Sequence, residues 1–372
     1  MDASVNRIPS SRDERSLLLA IRIKGHDIQQ TQYSLDELKM LVQTAGGIVV
    51  DSMIINREKI DPGFIMGKGN LARIGAIINE EKIKLLVFDL NSISPAQVRK
   101  LEDNLKCRVV GRNEVIIDIF ARRARSSDAK IQVELAQLKY LLPRLKGLGG
   151  VLSRLGGGIG TRGPGEKMLE TDRRHILKRI TKLKKKLKKI EAHRERLRNA
   201  RNKESLGAVV GYTNTGKSTL INLLAKDDLF VENRLFATLD SYTRIVYLEN
   251  TVKTLLTDTV GFITNLPANL IESFRSTLEE IKNADYIIHV IDLYSDNFLN
   301  NIETVNAELN NIMCNEKPMI LFFNKSDIAG DEKVINRMKA KYPLSVVGSA
   351  KTGEGIDELK KRISEIIKKG DI

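Results

Sequence analysis

The residues best suited to chemistry are Gly211-Tyr212-Thr213-Asn214-Thr215-Gly216-Lys217-Ser218. Glycine at both ends lets such a loop curl until successive backbone N–H groups converge on phosphate oxygens, and a following helix adds its positive dipole end. Lys217 would reach the β and γ phosphates, and Ser218 would offer its hydroxyl to Mg2+. Further along, Asp258-Thr259-Val260-Gly261 places a carboxylate that can hold Mg2+ through a water and a Gly261 amide that can sense the γ-phosphate. Base choice would fall to Asn324-Lys325-Ser326-Asp327. The Asp327 carboxylate can accept from both N1–H and the 2-amino group of guanine, whereas adenine presents an acceptor at N1 and lacks that amino group. Unmatched buried hydrogen bonds of this kind give discrimination on the order of 10⁴-fold. The backbone N–H groups of Ser349-Ala350-Lys351 suit the guanine O6. The nucleotide expected here is GTP.

Between the phosphate loop and Asp258 lies Phe236-Ala237-Thr238-Leu239-Asp240, in a segment with little regular pattern. A threonine is needed there to complete the Mg2+ shell and register the γ-phosphate. Thr238 is the first choice and Thr243 the competitor. The position after Gly261, where Ras-like enzymes often carry a water-orienting glutamine, holds Phe262. An apolar side chain cannot orient water, so turnover by the isolated chain should be slow, with help supplied by a partner or by another element. Asn214 would hold K+ near the phosphates, as the asparagine of potassium-activated GTPases does. Catalysis is thus expected to rest on Lys217, Thr238 and Gly261.

These residues must be held at the ends of strands. Leu206 to Val210, Thr251 to Thr257, Met319 to Phe323 and Leu344 to Val347 are apolar runs, each delivering one motif at its C-terminal end, where doubly wound sheets bind ligands. Asp285 to Ile291 reads as another buried strand, in which His289 is a packed core residue rather than a catalyst. Residues 205–372 therefore read as a Ras-like P-loop GTPase domain.

Ahead of it, strands alternate with helical stretches over residues 16–127, which predicts a small parallel α/β domain. Ser34-Leu35-Asp36-Glu37 reads as a helix N-cap with acids in the first turn, and Gly46-Gly47 as the stop. Gly67-Lys68-Gly69 lacks a complete phosphate fingerprint and reads as a structural turn. Residues 128–204 form a third region. Ile131, Leu135, Leu138 and Leu142 recur at helical spacing up to Pro143, which should end or kink that helix. Leu169, Ile176, Ile180, Leu183, Leu187, Ile190 and Leu197 make a heptad seam. The two segments predict an antiparallel helical hairpin joined by a Gly-rich loop over residues 146–166, with nine glycines and the cations Lys146, Arg154 and Arg162.

The net charge of +14 is unevenly divided. Residues 167–204 hold 16 Lys and Arg against 5 Asp and Glu, whereas residues 205–372 hold 19 against 23. Lys182, Lys184, Lys185, Lys186, Lys188, Lys189, Arg194, Arg196, Arg198 and Arg201 fill the positions between the seam residues. A merely solvated helix usually interleaves both signs, so this excess points to a polyanion, structured RNA above all. The scarcity of aromatics, 5% of residues, argues against a stacking platform for single strands. No run of apolar residues is long enough to span a membrane, and the N-terminus lacks the pattern of a secretory signal. Cys107 and Cys314 are far apart and without metal spacing, which fits inert thiols in a reducing cytoplasm.

From about residue 16 to 369 the chain resembles the HflX family of ribosome-associated GTPases. The resemblance rests on Phe120-Ala121-Arg122-Arg123-Ala124-Arg125, on Gln132 to Leu145, on Gly157-Gly158-Ile159-Gly160-Thr161-Arg162-Gly163-Pro164-Gly165-Glu166, and on Gly211-Tyr212-Thr213-Asn214, Phe236 to Asp240 and Asp258 to Phe262. It implies a protein that binds the large ribosomal subunit (50S) and ribosomal RNA, brings the Gly-rich loop to the peptidyl transferase region, and splits stalled or idle 70S ribosomes. The chain departs from the family at Thr215, usually Ala, at Met168-Leu169-Glu170, usually Gln-Leu-Glu, and at Ser241-Tyr242, usually Pro-Thr. It ends soon after the last helix, so the extra C-terminal domain of longer members is not expected. A cytoplasmic monomer is the expectation. The alternatives are a GTP-regulated assembly factor or RNA chaperone, and a regulatory GTPase whose basic hairpin makes a peripheral contact with an acidic membrane surface.

Overall fold

The computed structural model describes residues 14–152, 164–199, 204–226, 235–236, 242–248, 252–264, 275–328 and 332–369. They fall into two compact units. One takes the described residues of Met1–Arg122 and Lys130–Leu187, the other those of Arg123–Ala129, Lys188–Leu266 and Ile271–Ile372.

In the first unit, β1 (Arg15–Ile23), β2 (Ile48–Arg57), β3 (Leu85–Phe88) and β4 (Arg108–Gly111) form a parallel sheet in the order β2-β1-β3-β4. Its crossovers are α1 (Ile28–Thr44), α2 (Lys68–Glu80) and α3 (Pro95–Leu105), and α4 (Arg112–Arg123) follows the last strand. Leu17, Leu19, Leu86, Phe88, Ile74 and Leu101 build its core. Ser94 caps α3 through a reciprocal box with Gln97. The expected cap at Ser34 is corrected: α1 starts about two turns earlier, where the Asp27 side chain accepts the Gln29 N–H at 3.0 Å. Ser34 and Glu37 serve another purpose. The fully buried Arg112 guanidinium donates to Glu37, to Asp89 at 2.8 Å and to Ser34 O at 3.2 Å. Gly67 sits at the N-terminus of α2 with φ +82°, and a Cβ there would meet the Arg57 guanidinium at 2.9 Å.

The helices α5 (Ser127–Leu152) and α6 (Pro164–Asn199) pack through Ile131, Leu135, Leu138 and Leu142 against Ile176, Ile180, Leu183 and Leu187. The Arg179 guanidinium donates twice to Glu134, at 2.6 and 2.8 Å. Two expectations are corrected here. Pro143 does not end the helix but lies inside α5, which continues to Leu152, and the loop expected over residues 146–166 is shortened at both ends, since α6 already begins at Pro164. Proline removes one N–H and crowds the preceding turn. Around it the Arg144 guanidinium lies 3.3 Å from the centre of the Tyr140 ring, donates to Tyr140 O at 3.2 Å and reaches Glu114 Oε1 at 3.2 Å. The Arg144–Glu114 pair fastens α5 to α4 immediately after the weak point, and the Tyr140 contacts bridge it within the helix. Arg154 and Arg162 lie outside the described residues.

In the second unit a six-stranded sheet runs β10-β9-β8-β5-β7-β6, with β5 (Ser205–Gly211), β6 (Thr243–Tyr247), β7 (Lys253–Asp258), β8 (Tyr286–Asp292), β9 (Met319–Asn324) and β10 (Val346–Val347). All pairings are parallel except β6 with β7. One face buries Val209, Ile288 and Val290 against α7 (Lys217–Ala225) and α11 (Ile356–Lys369). The other buries Ala208, Val210 and Ile287 against α8 (Arg275–Asn283) and α9 (Phe298–Asn311), and α10 (Glu332–Lys341) joins β9 to β10. Among the described residues no helix is long and apolar enough to cross a membrane.

Candidate functional site

The site is assembled at the C-terminal ends of β5, β7, β9 and β10. At the end of β5, Gly211 has φ +154°, and a Cβ there would lie 2.3 Å from Val290 O. Gly216 has φ +92°, and a Cβ would meet Asn324 Nδ2 at 2.4 Å. Both positions need glycine, because the loop between them passes directly over neighbouring strands. Asn214 takes a left-handed φ of +64° between them. Thr215 Oγ1 donates to Tyr212 O at 3.0 Å and stiffens the curl.

Lys217 opens α7 and is buried. Its Nζ donates to Tyr212 O at 2.7 Å and Gly211 O at 3.2 Å. Burial lowers this ammonium to about 8, opposed by the charge of Asp258. Ser218 Oγ donates to Asp258 Oδ2 at 2.6 Å, which joins the hydroxyl and the carboxylate expected to serve the cation. A hydroxyl beside a carboxylate is an all-oxygen donor set, as Mg2+ requires. Thr213 Oγ1 is buried without a hydrogen-bond partner among the described residues. A phosphate oxygen or a hydrated cation would satisfy it.

After β7, Thr259 Oγ1 donates to Val209 O at 2.7 Å, pinning the chain before Val260 and Gly261. A Cβ at Gly261 would strike both Lys217 Nζ and Thr213 Cα at 2.9 Å, so only glycine brings this amide so close to the phosphate loop. Phe262 is buried in the apolar cluster with Val210 and Ile281. Thr213 N–H donates to Phe262 O at 2.8 Å and Phe262 N–H to Gly211 O at 3.1 Å. Tyr212 completes this staple: its hydroxyl accepts the Thr264 N–H at 2.7 Å and pairs with Thr264 Oγ1 at 2.6 Å.

Asn324 ends β9 and is buried. Its Nδ2 donates to Thr215 O at 2.7 Å and its Oδ1 accepts the Ala350 N–H at 2.8 Å. One side chain thus ties the phosphate loop to the loop expected to meet the base. Lys325 has φ +67° and donates to Asp292 Oδ2 at 2.6 Å. Ser326 Oγ donates to Glu354 Oε2 at 2.8 Å, and Asp327 is exposed. Ser349 Oγ accepts the N–H groups of Lys351 and Thr352 at 3.2 Å, which fixes Ser349-Ala350-Lys351 as a tight turn.

Phe236 is buried with φ +53°, whereas Ala237, Thr238, Leu239 and Asp240 lie outside the described residues. The competitor Thr243 sits on β6 and shares a hydrogen bond with Thr257 Oγ1 at 2.9 Å. His289 is buried on β8. Asp292, Glu354 and Thr264, the partner of Tyr212, belong to the site and were not singled out from the sequence. Only the fold's closure around the motifs reveals them.

Comparison with known proteins agrees with this geometry. Residues 32–121 match the family model described as GTP-binding GTPase N-terminal, residues 123–201 the GTP-binding GTPase middle region, and residues 207–325 the 50S ribosome-binding GTPase. The GTPase HflX of Lacrimispora saccharolytica is 47% identical over 358 residues, covering 96% of this chain and 84% of that protein. The GTPase HflX of Escherichia coli is 40% identical over 334 residues, covering 89% of this chain and 78% of that protein. The crystal structure of SsGBP in complex with GDP aligns with a TM-score of 0.53 at 26% identity, over 96% of this chain and all (100%) of that one. With two thirds and more of such relatives covered at these identities, the chain belongs to the HflX family of GTPases.

Proposed function

We propose that the protein hydrolyses GTP as a switch that governs its grip on the large ribosomal subunit, and that in the GTP-bound state it separates 70S ribosomes into subunits. The observation that carries the nucleotide half is the Ser218–Asp258 hydrogen bond of 2.6 Å at the mouth of a glycine-bounded loop. Mg2+ bound by Ser218 and, through water, by Asp258 would neutralise the phosphate charge. Lys217 leaves its backbone acceptors for the β and γ phosphates, and the loop amides from Thr213 to Ser218 surround the rest. Asp327 reads the guanine edge, and the Ser349–Lys351 turn takes O6. The Gly261 amide registers the γ-phosphate, with Thr238 supplying the second contact. Buried Phe262 leaves attack by water unassisted, which makes unstimulated turnover slow.

The ribosome half rests on α6. Lys182, Lys184, Lys185, Lys186, Lys188 and Lys189 are all exposed around a seam that α5 covers. RNA phosphate neutralises such a row best, and the match of residues 207–325 to a 50S ribosome-binding GTPase supports that partner. Light scattering of purified 70S ribosomes tests the reading. Scattering should fall when protein and a non-hydrolysable GTP analogue are added together, and no fall at saturating protein contradicts splitting. Base choice is tested separately: Asp327→Asn should weaken GTP by about two orders of magnitude or more while gaining xanthosine triphosphate, since the amide donates where the carboxylate accepts.

A further inference from the structure

The second unit carries an exposed feature that the nucleotide site does not use. β6 ends the sheet on one side, and rings stand at both ends of it. Tyr242, immediately before the strand, is 47% exposed, and Tyr247 at its last position is 62% exposed, with Ile245 at 48% between them. Each ring has a cation beside it: the Arg244 guanidinium lies 5.7 Å from the centre of Tyr242, and Lys253 Nζ lies 5.7 Å from the centre of Tyr247. By the two-residue period of a strand, Tyr242 and Arg244 project to one face and Ile245 and Tyr247 to the other, so the rim is armed on both sides. Among the described residues the exposed tyrosines are Tyr242, Tyr247 and Tyr294, and two of these three lie on this rim.

The pairing of ring and cation indicates the occupant. A second copy of the chain, pairing edge to edge, would use the β6 backbone and Ile245 but would offer no anion to Arg244 or to Lys253, which lies one strand inward on β7. A protein strand would use the edge and Ile245 but has no need of two cations. An unstacked nucleotide needs both, a π face for the base and a positive group for the adjoining phosphate. These cations also lie in a domain whose residues 205–372 carry 19 basic against 23 acidic side chains, so the positive charge here is local.

The rim is wired to the GTP site. Tyr242 O accepts the Asp258 N–H at 2.9 Å, and the Asp258 carboxylate accepts from Ser218 at 2.6 Å. Thr243 and Thr257 share a hydroxyl hydrogen bond one step along the ladder. Pressure on the Tyr242 ring therefore bears on the backbone that fixes Asp258.

We infer that the β6 rim is a second RNA contact, in which Tyr242 and Tyr247 stack unpaired bases of ribosomal RNA while Arg244 and Lys253 take the neighbouring phosphates, and that it links RNA binding to the GTP site through Tyr242. The inference rests on the reading that the protein binds the large ribosomal subunit. Binding of the full chain to isolated 50S subunits in a non-hydrolysable GTP analogue tests it, alongside Tyr242→Ala, Tyr247→Ala, Tyr247→Phe and Lys253→Ala, with ultraviolet crosslinking to locate the contact. Each Tyr→Ala change should weaken binding about tenfold, Tyr247→Phe should restore it, and Lys253→Ala should lower the salt slope by about one. Crosslinks from the rim should fall on 23S ribosomal RNA. Tyr242→Ala should in addition reduce the ribosome-stimulated turnover at saturating 50S, whereas Tyr247→Ala should not. Unchanged affinity in the tyrosine variants, or rim crosslinks to a ribosomal protein alone, overturns the inference. Failure of the unaltered chain to bind 50S at all would instead overturn the reading beneath it.

Discussion

At the scale of single residues, the site depends as much on side chains that join loops as on those that would touch nucleotide. Asn324 is the clearest case, since its two hydrogen bonds hold the phosphate loop and the Ser349–Lys351 turn together. Asn324→Ala leaves Thr215 O and the Ala350 N–H without that partner in a buried place, a loss of about 1–3 kcal/mol. GDP affinity measured by calorimetry should therefore fall at least tenfold and the melting temperature should drop with it. His289 gives a pH signature. Burial, with the nearby positive charge of Lys217, lowers its imidazole to about 3. The folded state then refuses a proton that the unfolded chain accepts near 6.5, so stability is whole above that pH and declines as pH falls toward the folded value. The slope is about 1.4 kcal/mol per pH unit. Urea melts at pH 7.5 and 5.5 should show a loss in the native chain that His289→Leu largely removes. The thiols follow the same logic: burial, with Glu102 nearby, pushes Cys107 up to about 12, and Cys314 is buried and free as well. Native protein should react with a thiol reagent only after unfolding. The motif residues were legible because their chemistry dictates type and spacing. Asp292, Glu354 and Thr264 were not, because a lone carboxylate or hydroxyl acquires meaning only when the chain folds it against a motif.

At the scale of elements, the periodic segments read correctly and the irregular decisions did not. The seam of α6 was plain, since Ile180 and Leu183 are buried at the positions the heptad assigns. The extent of α5 was hidden because glycine and proline oppose helix locally, while the Arg144, Tyr140 and Glu114 contacts come from distant parts of the sequence. The edge strand β6 was missed since five residues with alternate exposure carry little signal without β7 to pair with. The start of α1 was misjudged because Ser34 resembles a cap, yet it and Glu37 serve Arg112. Arg112→Met leaves Glu37 and Asp89 buried without their counter-charge. The cost should be about 3–5 kcal/mol, and thermal unfolding would record it as a marked fall in melting temperature. Reversing the six lysines of α6 to glutamate should abolish binding to 50S. The unaltered chain should lose roughly three orders of magnitude in affinity between 50 and 200 mM salt.

At the scale of the whole molecule, the sequence separates an acidic half that would hold the nucleotide from a basic part that would hold RNA, and each half could be read from its own residues. What periodicity and composition do not carry is how occupancy of one half is communicated to the other, because Thr238 and its neighbours sit in a segment without regular pattern. Nucleotide control of ribosome binding depends on that communication. Its most direct test is the dissociation constant of the full chain for isolated 50S subunits, measured at one salt concentration with a non-hydrolysable GTP analogue, with GDP and without nucleotide. Binding should be at least tenfold tighter with the analogue than with GDP. Equal constants in all three conditions would contradict it.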